Sequence, residues 1–147
     1  MDFKFIIEKL LTAFKEQDIQ YALIGGLALG SWGVPRATVD IDFLVNRDDM
    51  DKVDKIMRGL GYECKYKTEN VSQYVSPLKV FGEVDFLHAF RSPSISMLRR
   101  AEEKKMFDAT LPLKVLTIED LIGLKVQAMA NDESRKAVDL PDIESLI

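Results

Sequence analysis

The chain has 147 residues, 47% hydrophobic and 30% charged, the composition of one ordinary globular domain with a sizeable core; disordered, collagen-like and disulfide-scaffold classes are excluded. Its 20 basic against 24 acidic residues give a formal charge of −4, too acidic for attachment to nucleic acid mainly through counterion release. Cys64 is a single cysteine, able to form neither an internal disulfide nor a cysteine-based metal site, and Met1-Asp2-Phe3-Lys4 has no basic-then-apolar leader, so a cytoplasmic protein is expected.

In chain order, Phe3, Ile6, Ile7, Leu10, Leu11 and Phe14 recur at spacings of three and four and predict an amphipathic helix to about Gln17. Tyr21–Ile24 reads as a short apolar strand ending at the pair Gly25 and Gly26, with a short helix from Leu27 to Trp32 after it. The uncharged stretch from Ile19 to Pro35 is broken by glycines and a proline, so it is not a spanning helix and no membrane role is expected. A strand over Thr38–Val45 follows. Asn46 is placed to cap a helix with apolar positions Met50, Val53, Ile56, Met57 and Leu60, closing at Gly61.

Tyr62–Tyr66, Ser72–Val75 and Glu83–His88 are β-runs rich in aromatic and branched residues, and Gly82 marks the turn before the last. Ser94 is read as the cap of a short helix through Arg100. Lys104–Ala109 and Leu113–Leu116 are read as a strand pair around Pro112. Arg99, Arg100, Lys104 and Lys105, interrupted by Glu102 and Glu103, suggest a solvated mixed-charge face rather than a nucleic-acid patch. Thr117 to Asp120 is a capped helix start, after which Leu121, Leu124, Lys125, Ala128 and Met129 share one face. A last helix is expected near Asp139 or Pro141. No repeat or linker divides these elements, so residues 1–147 are expected to form a single domain with a helical C-terminal part from about 117.

Chemistry concentrates at Asp40 and Asp42, which strand geometry places on one face, with Cα atoms ~6.5–7 Å apart at ~3.3 Å per residue. A divalent cation relieves the repulsion, and hard ions such as Mg²⁺ take carboxylate oxygens while keeping positions for phosphate. Gly25 and Gly26 permit close backbone approach and leave amides for an anion. Asp85 supplies a third carboxylate, alternating with core-facing Val84 and Phe86. His88 has no second zinc-type ligand and reads as a polar residue at a strand end. Trp32 and Cys64 read as packing residues, the latter buried and inert.

Taken in order, a strand, Gly25-Gly26, thirteen residues, Asp40-x-Asp42 and a later strand aspartate resemble the nucleotidyltransferase superfamily that includes polymerase β. The stretch Pro35–Asp42, with Leu121–Lys125 and Arg135–Asp142, looks most like its small prokaryotic branch containing AbiE-type toxin transferases. That resemblance implies an α/β (α+β) fold: a small mixed sheet packed by helices, with the three aspartates grouped at one edge. It implies a metal-dependent enzyme transferring a nucleoside monophosphate from a nucleoside triphosphate to an acceptor hydroxyl, with release of pyrophosphate. Asp40, Asp42 and Asp85 would be the catalytic, metal-binding set for two Mg²⁺ or Mn²⁺ ions, and Asp85 would also orient or deprotonate the hydroxyl. Gly25 and Gly26 would cradle the triphosphate, without the serine hydroxyl many members carry in the position of Gly26. Lys125 would meet phosphate as a point charge, and Arg36, four residues before Asp40, is placed to meet phosphate or to pair with the acidic cluster. The acceptor is left open among RNA such as tRNA, a protein and a small molecule. The alternative is a catalytically silent module of the same fold, such as the neutralising half of a toxin–antitoxin pair.

Overall fold

The computed structural model describes residues 3–34, 40–77, 82–107 and 110–147. It opens with helix α1 (Phe3–Glu16), whose Ile6, Ile7, Leu10 and Phe14 are buried as their spacing predicts. Asp18 turns the chain at φ 55°, and the Ile19 amide returns to the Phe14 carbonyl at 2.8 Å. Strand β1 (Tyr21–Ile24) leads directly into α2 (Gly25–Ser31). The two glycines are thus the first residues of that helix and not a connection before it, because Gly25 alone, at φ +72°, makes the turn.

Strand β2 (Asp40–Asn46) ends where Asn46 accepts a hydrogen bond from the Asp48 amide, capping a 3₁₀ turn that continues into α3 (Met50–Gly59). Strands β3 (Glu63–Lys67), β4 (Val71–Val75) and β5 (Glu83–Ala89) follow. Helix α4 (Ser92–Arg100) begins two residues before the expected cap; Ser94 lies in its first turn and donates to the Arg91 carbonyl at 3.0 Å. Strands β6 (Glu102–Met106) and β7 (Leu111–Val115) form a hairpin through Phe107 at φ 55°, with Pro112 inside β7 opposite Lys105. Thr117 caps α5 (Ile118–Asn131) by accepting from the Asp120 amide at 3.2 Å. Helix α6 (Lys136–Leu146) starts before Asp139 and carries Pro141 within it, not at its start.

Among the described residues seven strands form one mixed sheet in the order β3-β4-β5-β2-β1-β7-β6. β2 runs parallel to β5 and β1 parallel to β7; the other pairs are antiparallel. This is the mixed α/β architecture that the resemblance implied, except that the aspartates stand on the interior strands β2 and β5 and not at an edge of the sheet.

Alternation along β2 and β5 divides the molecule into two faces. Ile41, Phe43, Val84 and Phe86, all fully buried, point toward α1. There Phe14 meets Phe43 edge-on at 5.7 Å between ring centroids, and Phe86 stacks on Phe43 at 5.7 Å. Tyr74 donates to Asp54 Oδ1 at 2.7 Å, fastening β4 to α3. The opposite face carries Asp40, Asp42, Glu83 and Asp85, then Leu44 and Leu87 further along the same strands. A tight apolar layer on one side therefore holds two charged strands rigid on the other. No helix among the described residues is long and apolar enough to cross a membrane.

Candidate active site

Parallel pairing without a register shift sets Asp40 opposite Glu83 and Asp42 opposite Asp85. Four carboxylates from two strands thus share one patch. Asp42 also stands opposite Ile24 of β1, which carries it beneath the start of α2. A Cβ built on Gly25 would collide with the Asp42 carboxylate, its Cγ only 2.9 Å away. Glycine is required here twice over, by its positive φ and by this approach.

Burial sets the protonation of the pair. Asp42 is pushed up to about 6, first by loss of water and then by the charge of Asp40, while its hydrogen bond with Asp85 opposes the rise. Asp85 is pushed up to about 7, again first by burial and then by the charges of Asp42, Asp40 and Glu83. Near neutral pH the two carboxyls therefore share a proton, as like charges side by side in a poorly hydrated site must. Asp40 is also raised, by burial and by Glu83, against a partial offset from Lys65. Lys65 lies 3.7 Å from Glu83.

The donor set fits a hard divalent cation. Asp40, Glu83 and Asp85 each offer an oxygen such that all three atoms lie within 4.8 Å of one another. Asp85 Oδ1 is buried without a hydrogen-bond partner, a state that costs free energy unless something charged or donating meets it. In this set Glu83 stands where the sequence led us to expect Asp42, which lies beside it opposite Asp85. The place of Glu83 was readable in the sequence, since it precedes Asp85 by two residues and so shares its face.

The other expected residues divide into three cases. Gly25 lies against the Asp42 carboxylate, and Gly26 follows it in the first turn of α2. Arg36 lies outside the described residues. Lys125, on α5, is close enough to Asp42 to lower its pKa, but its ammonium is held by Asp139 at 3.1 Å and Asp142 at 3.0 Å. Asp139 is fully buried and also accepts from Arg135 Nε at 2.8 Å, so the two segments Leu121–Lys125 and Arg135–Asp142 are joined through it. The i,i+4 spacing of Arg135 and Asp139 was the signal in sequence; the bond to Lys125 needed the packing of α5 on α6.

Three residues set aside by the sequence reading have structural partners. His88 is buried, with Nδ1 donating to the Glu69 carbonyl at 2.9 Å and Nε2 accepting from Ser72 at 2.9 Å; burial lowers its pKa, so it is neutral and not merely a polar strand end. Trp32 Nε1 donates to the Leu116 carbonyl at 2.9 Å while Lys104 lies over its ring, which supports a packing role. Cys64 is only half-buried, because β3 is an edge strand with mostly exposed side chains.

Comparison with known proteins bears on the family and the fold. The model of the family described as "Uncharacterised nucleotidyltransferase" matches residues 2–115. No curated protein matches the sequence. Among solved structures, ANT(2'')-Ia in complex with adenylyl-2''-tobramycin superposes with a TM-score of 0.72 at 15% identity, over 96% of this chain and 85% of that one. The lincomycin-bound lincosamide antibiotic adenylyltransferase LnuA gives 0.66 at 14% identity, over 95% and 93%. An antigenic nucleotidyltransferase-like protein from Paracoccidioides brasiliensis gives 0.62 at 17% identity, over 99% and 75%. Likeness at these identities shows the fold.

Proposed function

Since the chain belongs to this nucleotidyltransferase family, we propose that it transfers a nucleoside monophosphate from a nucleoside triphosphate to an acceptor hydroxyl, with Asp40, Asp42 and Asp85 as the catalytic set. The observation that carries this reading is the register of β2 and β5, which sets Asp42 against Asp85 on a buried sheet face and leaves Asp85 Oδ1 without a partner. A structural sheet face would place opposite charges or apolar pairs there, because like charges directly opposite destabilise.

Each residue then has a task. Asp40, Asp42 and Asp85, with Glu83 beside them, would hold Mg²⁺ or Mn²⁺, two ions with bound triphosphate. Such ions neutralise the carboxylates and stabilise charge on the attacking and leaving oxygens. Asp85, once ionised, accepts the proton of the acceptor hydroxyl. The hydroxyl oxygen bonds to the α-phosphorus, the bond from that phosphorus to the bridging oxygen breaks, and pyrophosphate leaves with the electron pair. Gly25 and Gly26, which open α2 next to Asp42, would cradle the triphosphate, and Lys125, held by Asp139 and Asp142, would add positive charge near Asp42. Arg36, four residues before Asp40, is assigned to phosphate on the sequence alone.

The AbiE-like resemblance belongs to the proposal as well: the Lys125–Asp139 pair ties together the two C-terminal segments on which it rests. We accordingly read residues 1–147 as one transferase unit, with RNA, protein or a small molecule as acceptor. The test is incubation with each α-labelled triphosphate, Mg²⁺ or Mn²⁺ and cell lysate. Label on a specific acceptor, lost in Asp42→Asn, supports the reading; pyrophosphate release that persists in Asp42→Asn rejects the assignment of the site.

A further inference from the structure

A cavity of about 850 Å³ lies against the sheet beside the four carboxylates, walled by α4 and α5. Its floor continues the catalytic face: Ile24 and Leu87 border both this cavity and the small pocket that contains Asp42 and Asp85. Leu44, Phe90, Met97, Leu121 and Leu124 make its walls predominantly apolar. The charges it does present are one-sided. Arg91, Lys125 and Arg135 line it, Arg91 beside the Phe90 ring, which Arg47 covers at 3.4 Å; Gly25 and Lys125, given above to the triphosphate, form the border that acceptor and nucleotide would share. Among the described lining residues the sole carboxylate is Asp139, already bonded to both Lys125 and Arg135.

Resting on the nucleotidyl-transfer reading, we infer that this cavity is the acceptor pocket and takes a hydroxyl compound with an apolar body and no positive charge. A pocket built for a polycation such as tobramycin needs carboxylates aimed into it, since burying an ammonium without a partner is costly. Among the described residues lining the cavity itself the one acid is spent, the carboxylates beyond Ile24 and Leu87 are those the proposed reaction gives to metal and triphosphate, and the remaining unpaired charge, Arg91, repels a cation and attracts an anion. The volume suits a drug-sized molecule, whose hydroxyl would reach Asp85 across Leu87. In the transfer, that hydroxyl oxygen bonds to the α-phosphorus, its proton passes to Asp85, and pyrophosphate leaves.

The test uses 8-anilino-1-naphthalenesulfonate, an apolar anion whose fluorescence reports binding, on the full chain. Saturable one-to-one binding is expected, weakened about tenfold or more by Leu124→Trp, which fills the pocket, and unaltered by Val126→Trp on the exposed side of α5. Arg91→Glu, which alters no core contact, should also weaken the dye by about tenfold. Saturating α,β-methylene-ATP with Mg²⁺ should leave dye binding in place, and tobramycin should not displace it. Displacement by the nucleotide would assign the cavity to the nucleoside instead and overturn the inference, as would tobramycin binding sensitive to Leu124→Trp or no saturable dye binding. Failure of the nucleotide to bind at all, measured separately by calorimetry, would sink the transferase reading while leaving the pocket's preference measured.

Discussion

Replacing Asp85 by asparagine separates a catalytic carboxylate from a structural one, because the two roles change stability in opposite directions. In the folded chain Asp85 ionises near pH 7 rather than at its ordinary 3.8. Its folded pKa is raised, so its contribution favours the native state below about pH 4 and is lost as pH rises through about 7. At 1.36 kcal/mol per pH unit that loss has an upper limit of about 4 kcal/mol, and solvent reaching the partly exposed pair reduces it to roughly 2. Asparagine does not titrate and can donate to Asp42. Asp85→Asn should therefore gain about 2 kcal/mol relative to wild type on going from pH 4 to pH 8, read from urea unfolding without divalent ions. Saturating Mg²⁺ should stabilise the wild type more than the variant, while nucleotidyl transfer falls by about 10²–10⁴. A stability difference independent of pH, or a variant less stable than wild type at pH 8, would refute the reasoning about the carboxyl pair. Wild-type transfer in a folded variant would remove Asp85 from the catalytic set.

Further substitutions examine the surroundings of that pair. Gly25→Ala places a side chain at φ +72° against the Asp42 carboxylate, and should cost about 1–3 kcal/mol in unfolding free energy as well as most transfer activity. Glu83→Gln should lower Mn²⁺ affinity in calorimetry by several-fold (~1 kcal/mol) with little change in melting temperature; if Glu83 serves only Lys65, metal affinity will not move. Lys125→Met leaves Asp139 buried with only Arg135 as partner, and should destabilise by about 2–4 kcal/mol and raise the KM for triphosphate more than it lowers kcat.

Much of this site was legible in the sequence because its information is local. Period-two alternation alone places Asp40 with Asp42, and Glu83 with Asp85, while the helical spacing of Ile6, Leu10 and Phe14 marks the buried face of α1. Boundaries failed where a residue has two uses. Ser94 has a capping side chain yet sits inside the first turn of α4, and Pro141 is tolerated within α6 instead of starting it. Pairing was beyond local reasoning altogether. Nothing in the chain states that β2 lies beside β5 in zero-shift parallel register, so Asp42 against Asp85 had to come from resemblance until the sheet was seen. The same holds for Lys125, whose partners lie fourteen and seventeen residues later on another helix.

That pairing also explains why the carboxylates are better read as a working site than as decoration of a surface. A sheet strand can turn charges outward at no cost, and β3 and β6, with their exposed Glu and Lys side chains, do so at both edges of this sheet. β2 and β5 instead occupy interior positions and set two acids opposite each other on a face where burial raises the pKa of both. Below neutral pH the shared proton limits the repulsion, but Asp85 Oδ1 still has no partner. A local arrangement that opposes folding, backed by an aromatic layer of Phe14, Phe43 and Phe86 that holds it in place, supports the proposed catalytic role of these carboxylates. That cost is read from the pH-dependent stability gap between the wild type and Asp85→Asn without divalent ions, and a larger Mg²⁺ stabilisation of the wild type would show that a cation meets these carboxylates.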